Sequence, residues 1–172
     1  SEQDGNAATY LDKVIDTASR LYENTRDLIW ALNPQNDTLN DLYLQLKDFG
    51  EELFQDADID FNASGIAENL NNKDLPMRYK RHLLLIFKEG MHNALKHSGC
   101  KNIWLNIEEK DQKLVFMLQD DGKGFDTDLI YKGDGLKNMV QRAKQINGEL
   151  HFISKKEGTR IWLELENGKF KK

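Results

Sequence analysis

A helix predicted over residues 76–97 carries the first side chains whose types and spacing could do chemistry. Glu89, Asn93, Lys96 and His97 are separated by steps of three and four residues, so they share one face of that helix. They offer a carboxylate, an amide whose oxygen can bind Mg²⁺, and a cation, all within reach of one polyphosphate. An ordinary solvated helix face is the alternative, and this stripe alone does not exclude it.

A second group lies in the loop over residues 120–125, directly after a predicted strand. Its leading carboxylate, Asp120, only accepts hydrogen bonds and suits the exocyclic amino group of adenine, while Gly122 and Gly124 let the backbone approach a flat base. A plain turn has the same composition. A calcium loop fails on spacing, because Met117 stands where an oxygen ligand is required and Asp128 where a glutamate is. Adenine is therefore favoured over calcium.

A third group opens the helix predicted over residues 136–147. Gly133 and Gly135 precede Leu136, with Met139 and Arg142 farther along that helix. A glycine-rich loop before a helix presents unpaired backbone N–H groups and a positive dipole end, which suits phosphate oxygens. The third glycine of a dinucleotide fingerprint is missing and no GxxxxGK occurs, so Rossmann and P-loop nucleotide sites are excluded.

Bulk composition narrows the class of protein. The 172 residues carry a net charge of -5, which argues against nucleic acid as a partner because such binding depends on basic side chains. The single cysteine, Cys100, has no partner for a disulfide, and the longest apolar run, 83–87, is too short to span a bilayer. The chain opens without Met and enters a helical pattern at once. We therefore expect a cytoplasmic piece of a longer protein.

The elements that position these groups begin with a long helix. Its apolar positions alternate three and four residues apart, as in a heptad seam with Thr25 at one polar place, and the helix ends before Pro34. This pattern predicts either one helix of a dimerisation hairpin or a helix that packs on the domain's own second helix, 39–54. The seam consists of Leu11, Val14, Ala18, Leu21, Leu28 and Leu32.

The remaining pattern predicts strands and helices in mixed order. We expect strands over 58–62, 103–108, 113–119, 150–154 and 160–166, and a helix after the capping residue Asp74. A tight turn is predicted near Asp111, and Gly148 is expected to end the last helix. The predicted fold is an α/β (α+β) two-layer sandwich, with a mostly antiparallel sheet, helices on one face and a long N-terminal helix in front.

Taken in order, these groups resemble one family. The pattern Glu89-x-x-x-Asn93-Ala94-x-x-His97 resembles the N box of histidine kinase ATPase domains, and Asp120-x-Gly122-x-Gly124 resembles their G1 box. The G2 box is matched by Gly133-x-Gly135-Leu136-x-x-Met139, and a late Gly158-Thr159 follows. Four motifs in order over residues 76–166 make a specific signal for these Bergerat-fold ATPases, which share their outline with gyrase, Hsp90 and MutL.

The resemblance implies roles for individual residues. Asn93 would hold Mg²⁺ and Glu89 would polarise the reaction or a water, so these two are the predicted catalytic residues. Asp120 would bind the adenine amino group of ATP, while Lys96 and His97 would approach its phosphates. The other predicted ATP-binding residues, which would shape the pocket and its lid, are Gly122, Gly124, Phe125, Gly133, Gly135, Leu136 and Thr159.

The short lid and the run Gly-Leu-x-x-Met-x-x-Arg are similar to the nitrate-sensor class of histidine kinases. By this resemblance, residues 1–34 are the second helix of a truncated dimerisation and histidine phosphotransfer hairpin, 38–167 the ATPase domain and 168–172 a basic tail. The histidines, His82, His92, His97 and His151, all follow the hairpin segment. We therefore expect a fragment that binds ATP and Mg²⁺ without phosphorylating itself.

The resemblance also implies partners. In the full-length parent the phosphoryl group would pass to a histidine on a missing helix and then to the receiver domain of a response regulator. The parent would be a homodimer, weakened in this fragment, and would reach the inner membrane only through missing N-terminal segments.

Three other functions remain open at this point. An anti-sigma-type protein serine kinase shares the ATP-binding boxes, but normally lacks a helical lead-in. A hydrolysing ATPase of the gyrase type would use Glu89 as general base and would need a following transducer domain. A degenerate binding module is the last, although every motif residue discussed is intact.

Overall fold

The computed structural model describes residues 2–125 and 134–168, without the side chains of residues 2–9, Asp12, Asp16 and Arg20. These described residues form four α-helices and five strands. The helices are α1 (Glu2–Leu32), α2 (Leu39–Phe54), α3 (Met77–Asn93) and α4 (Asp134–Gln145). The strands are β1 (Asp60–Ala63), β2 (Asn102–Lys110), β3 (Lys113–Asp120), β4 (Glu149–Lys155) and β5 (Gly158–Glu166).

The strands make one mixed sheet in the order β1-β2-β3-β5-β4. β1 pairs with β2 in parallel, and every other pair is antiparallel. Burial alternates along β3 and β5, as period-two side chains require when one face is covered. The predicted two-layer α+β fold with a mostly antiparallel sheet is therefore confirmed.

The core lies between the inner face of this sheet and helices α2, α3 and α4. Phe87 of α3 packs on Phe116 of β3 with ring centroids 5.9 Å apart, and Met91 and Met139 are 0% and 1% exposed. These contacts fix the C-terminal end of α3 over the ends of β3 and β5. The predicted site residues are thereby brought to one edge of the sandwich.

Helix α1 stands largely away from the domain. Its seam residues Leu11, Val14 and Leu21 are about 60% exposed, so the prediction that the seam packs on α2 is wrong for this part of the helix. Among the described side chains of α1, only Asp27 and Ala31 are buried. A dimer through the exposed seam stays a prediction. Within the described residues, no helix combines the length and apolarity needed to cross a membrane.

Some boundaries differ from the predictions for local reasons. Asp74 does not cap α3; it pairs with Thr38 in an isolated bridge, and Pro76 takes the cap position without a side-chain hydrogen bond. α4 begins at Asp134, two residues before the predicted start. The predicted tight turn is present, with Asp111 and Gln112 at φ 50° and 63°, the left-handed pair that joins twisted antiparallel strands.

Candidate functional site

A cavity of 670 Å³ opens between the end of α3, the loop after β3, the start of α4 and the start of β5. Ten of the twelve predicted site residues line it. Of the other two, Gly122 lies directly beneath the cavity wall, and Gly133 lies outside the described residues. The lining residues are Glu89, Asn93, Lys96, His97, Asp120, Gly124, Phe125, Gly135, Leu136 and Thr159.

The α3 side of the cavity ends in an irregular turn. Asn93 is the last α-helical residue, and Ala94–Ser98 follow as a π-helical turn that Gly99 ends at φ 63°. The prediction of regular helix through residue 97 is therefore wrong, although Lys96 and His97 still reach the cavity and are exposed in it. π turns widen the helix by one residue and occur often at functional sites.

Asp120 is a buried carboxylate in the lining of the cavity and is 7% exposed. Its Oδ1 accepts hydrogen bonds from the backbone N–H groups of Gly122 (2.8 Å) and Thr159 (3.3 Å). Burial raises the pKa of this carboxyl, and those two hydrogen bonds oppose the rise. The Thr159 side chain is a further hydrogen-bond partner of this carboxyl and also opposes the rise of its pKa. The carboxylate is thus held in place by the loop after β3 and the start of β5, and it lines the cavity, where a ligand can donate to it.

Two glycines allow this close approach of backbone. A Cβ at Gly122 would meet the Ser98 carbonyl oxygen at 2.5 Å, and a Cβ at Gly158 would meet the Asp120 carbonyl oxygen at 2.0 Å. Gly158 also has φ 132°, a conformation that L side chains rarely adopt. The walls around Asp120 therefore tolerate no side chain at either position.

The neighbouring carboxylate, Asp121, has a structural role. Asp121 accepts hydrogen bonds from the backbone N–H groups of Lys101 (2.8 Å) and Asn102 (2.9 Å) and from the Asn102 side chain. The Asn102 side chain is the main cause of the lowered pKa of Asp121. Of the two adjacent aspartates, one faces the cavity and the other fixes the start of β2.

The opposite end of the cavity brings a carboxylate against a helix N-terminus. A Cβ at Gly135 would lie 2.1 Å from Oε1 of Glu89, so the first turn of α4 touches this carboxylate because glycine stands there. Farther along α4, burial lowers the pKa of half-buried Arg142, nearby Arg81 lowers it further, and the charge of Glu89 opposes both. This end combines backbone N–H groups with cations, as phosphate binding requires.

Oxygen ligands for a divalent cation are also present here. Glu89 and Asn93 lie one helical turn apart on α3 and both line the cavity. Carboxylate and amide oxygens are the hard ligands that Mg²⁺ prefers. The chemistry of these two side chains therefore fits a magnesium ion, which they would hold.

Several lining residues were missed in the sequence. Ser98 and Lys123 line the cavity, and the Lys123 backbone N–H donates to the Ser98 carbonyl at 2.9 Å, which ties the loop after β3 to the end of α3. Phe125 is held by its N–H, which donates to Oγ of Ser154 at 2.6 Å. The adjacency of Ser98 to His97, and of Lys123 to Gly122 and Gly124, was the local signal for these two residues, whereas the contacts themselves join distant parts of the chain.

Comparison with known proteins assigns the family. Residues 79–169 match the family described as histidine kinase-, DNA gyrase B-, and HSP90-like ATPase. The chain belongs to this family. The match contains all the motif residues that surround the cavity, and the prediction of a histidine kinase-type ATP-binding domain is confirmed.

The relatives extend the match beyond that domain. The sensor protein VraS of Staphylococcus aureus (strain COL) is 33% identical over 128 residues, which cover 72% of this chain and 37% of that protein. VraS of Staphylococcus saprophyticus is 32% identical over 98 residues, 56% of this chain and 28% of its own. The chain thus spans about a third of the length of these relatives.

Solved structures share the fold. The histidine kinase domain of the blue-light activated kinase of Erythrobacter litoralis EL346 superposes with a TM-score of 0.68 over 92% of this chain and 86% of its own, at 16% identity. The histidine kinase AdeS of Acinetobacter baumannii gives 0.62 over 90% and 80%, also at 16% identity. Both likenesses cover more of the chain than the part that follows α1, so they include part of α1.

Proposed function

We propose that this chain is the ATP-binding catalytic domain of a two-component sensor histidine kinase, and that it transfers the γ-phosphoryl group of ATP to a histidine on another segment. One observation carries the proposal. Asp120 presents a buried carboxylate at one end of a 670 Å³ cavity, and Glu89, Asn93 and the N-terminus of α4 line another part of it. The two ends of the cavity thus match adenine and a polyphosphate in their chemistry.

Each end acts through its own groups. The carboxylate of Asp120 accepts from the adenine amino group, while Gly124 and Phe125 border the base. Lys96, His97 and the backbone N–H groups at Gly135 and Leu136 stabilise the phosphates by charge and hydrogen bonding. Since phosphoryl transfer demands little covalent chemistry from a protein, positioning and charge neutralisation are the main contributions of the site.

Asn93 and Glu89 are the proposed catalytic pair. Asn93 would hold Mg²⁺, and the ion would supply neutralisation of charge on the phosphates. Glu89 polarises the attacking group, and its contact with Gly135 couples its position to the first turn of α4. Gly122, Gly133 and Thr159 shape the pocket and its lid in this proposal.

The proposed partners follow from the family. The acceptor histidine would lie on a hairpin helix that pairs with α1, and a response regulator receiver domain would take the phosphoryl group from it. The exposed seam of α1 supports a homodimer in the parent protein, which we propose to be anchored to the inner membrane by segments outside this sequence.

Nucleotide binding is tested by calorimetry with Mg-ATP on the whole chain. Asp120→Asn removes the charged acceptor and should weaken binding by about 30-fold or more, as expected for loss of a charge-assisted hydrogen bond. Asp121→Asn is the matched control, since among the described residues that carboxylate bonds only to Lys101 and Asn102, at the start of β2. Absence of binding by the wild type, or equal losses in both variants, would contradict the proposed site.

The reaction class needs a second assay. A longer parent containing both hairpin helices is incubated with radiolabelled ATP and a receiver domain, and the labelled protein is then treated with acid. Phosphohistidine is acid-labile and should disappear, with transfer to the receiver. Acid-stable phosphoserine on a partner would instead favour the anti-sigma-type serine kinase.

A further inference from the structure

A second polar centre lies on α3, away from the nucleotide cavity. Lys88 is 8% exposed, and its Nζ donates to both carboxylate oxygens of Asp27 at 2.8 and 2.9 Å. The same ammonium lies 4.2 Å from the ring centroid of Phe49. One buried cation therefore joins α1, α2 and α3, and the residue that follows it, Glu89, faces the nucleotide cavity.

A second buried lysine fixes the connection between α1 and α2. Lys80 is fully buried, and its Nζ donates to Asp37 at 2.7 Å and to the Asn33 carbonyl at 3.4 Å. It also lies 5.6 Å from the ring centroid of Trp30. Lys80 and Lys88 are eight residues, or about two turns, apart on α3. Both the end of α1 and the segment after it are thus held by this helix.

Apolar packing alone gives α1 little hold on the domain. Ala31 is its one buried apolar side chain among those described, with Trp30 and Leu28 half-buried. A cleft of 710 Å³ lies between the C-terminal part of α1 and helices α2 and α3, and its lining includes Glu23, Phe49 and the ion pair itself. A small apolar contact permits sliding and rotation, whereas a two-point hydrogen-bonded ion pair fixes direction and register.

The energetics of buried ion pairs also favour a role in fixing the direction and register of α1. Desolvation of the two charges offsets most of their attraction, so a matched apolar pair is often as stable. Fixing register is the best-attested use of such pairs. On the basis of the proposed nucleotide site, we propose that the Asp27–Lys88 ion pair sets the pose of α1 on α3. Through it, the position of α1 is coupled to the helix face that carries Glu89 and Asn93.

The pose is tested by distance measurements between spin labels at two exposed positions, Leu11→Cys on α1 and Leu44→Cys on α2, with buried Cys100 left in place. With Asp27 and Lys88 both unchanged, the two labels should give one narrow distance distribution without nucleotide. The double variant Asp27→Leu/Lys88→Met should at least double its width while the melting temperature stays within about 3 °C. The control is Lys47→Met/Glu51→Leu, which removes an exposed ion pair within α2 and should leave the width unchanged.

Coupling is tested by hydrogen exchange with and without a nonhydrolysable Mg-ATP analogue. In the wild type, the nucleotide should slow exchange in α3 and in residues 24–32 of α1. In Asp27→Leu/Lys88→Met, the analogue should bind within about threefold of wild-type affinity and protect α3 alone. The conservative variant Asp27→Glu, with Lys88 intact, should show protection of both α3 and α1.

The outcomes separate the two proposals. A narrow distribution in the folded apolar double variant, or undiminished protection of its α1, overturns the role of the ion pair. Failure of the wild type to bind the analogue overturns the proposed nucleotide site, and the distance distributions still decide whether the ion pair sets the pose.

Discussion

Helix α3 carries two polar groups that differ in kind. The nucleotide side has exposed or half-exposed groups, Glu89 and Asn93 on α3 and Lys96 in the π turn after it, with few protein partners among the described residues. The α1 side has Lys80 and Lys88, both buried and both paired with carboxylates. A ligand site must leave hydrogen-bonding capacity unused until the ligand arrives, whereas a docking contact must satisfy it within the protein. Substitutions on the two sides should therefore separate binding from stability.

The largest effect is expected on the α1 side. Lys88→Met leaves the carboxylate of Asp27 buried and unpaired, which should lower the free energy of unfolding by about 3–5 kcal/mol. At this chain length the melting temperature should fall by roughly 10 °C in calorimetry or circular dichroism. Lys47→Met, at an exposed ion pair, should change stability by less than about 0.5 kcal/mol. Equal free energies of unfolding for Lys88→Met and Lys47→Met would contradict the view that the α1 side of α3 contributes to stability.

The wall behind Asp120 should also be sensitive. Gly158→Ala places a Cβ against the Asp120 carbonyl at φ 132°, and the strain should cost about 3 kcal/mol of unfolding free energy. Gly65→Ala is the control, because no atom lies within 4 Å of its Cβ position. Chemical denaturation of both variants measures the difference. A Gly158→Ala protein as stable as Gly65→Ala would mean that this wall can move.

A smaller effect is expected from a cation on the nucleotide side. Lys96 is exposed, so Lys96→Met should leave the melting temperature unchanged and weaken Mg-ATP binding by about fivefold, as a partly solvated charge pair allows. Adenosine, which lacks phosphates, should bind this variant and the wild type equally in calorimetric or NMR titrations. Loss of adenosine binding would show that Lys96 acts on the base or on the fold.

The last effect depends on pH and vanishes well above the pKa of Asp120. Because burial raises the pKa of Asp120, its carboxylate should protonate above the usual aspartate range, and adenosine affinity should fall by at most tenfold per pH unit below that pKa. The folded state holds this proton more tightly than the unfolded state, so the same protonation adds stability while it weakens binding. Adenosine titrations across pH measure the change, and Asp120→Asn should show none. A flat wild-type profile would place the base elsewhere.

The two sides of α3 also differed in how far they were predictable. The nucleotide side was predicted residue by residue because its motifs are short and Asn93 lies four residues from Glu89. The partners of Lys80 and Lys88 lie 43 and 61 residues away, so no local pattern pointed to them. A buried lysine also contradicts the general preference of lysine for solvent, which made both positions look like ordinary surface.

The strands and helices were largely predicted from alternation and periodicity, and the misses have physical causes. The cap at Asp74 failed because tertiary pairing with Thr38 competed with local capping. The π turn after Asn93 was missed because the same residue spacing fits a regular helix. The seam of α1 was correctly assigned to a helix, but periodicity does not state which surface covers it.

The exposed length of α1 gives it mechanical leverage. At about 1.5 Å per residue, the 25 residues before Asp27 extend roughly 37 Å from the point where Lys88 holds the helix. A tilt of about 5° at that point moves the far tip by roughly 3 Å. Conversely, a displacement of a few ångströms imposed on the tip reaches α3 as a rotation of only a few degrees. The helix is thus a lever whose fulcrum adjoins the residues proposed to hold the nucleotide.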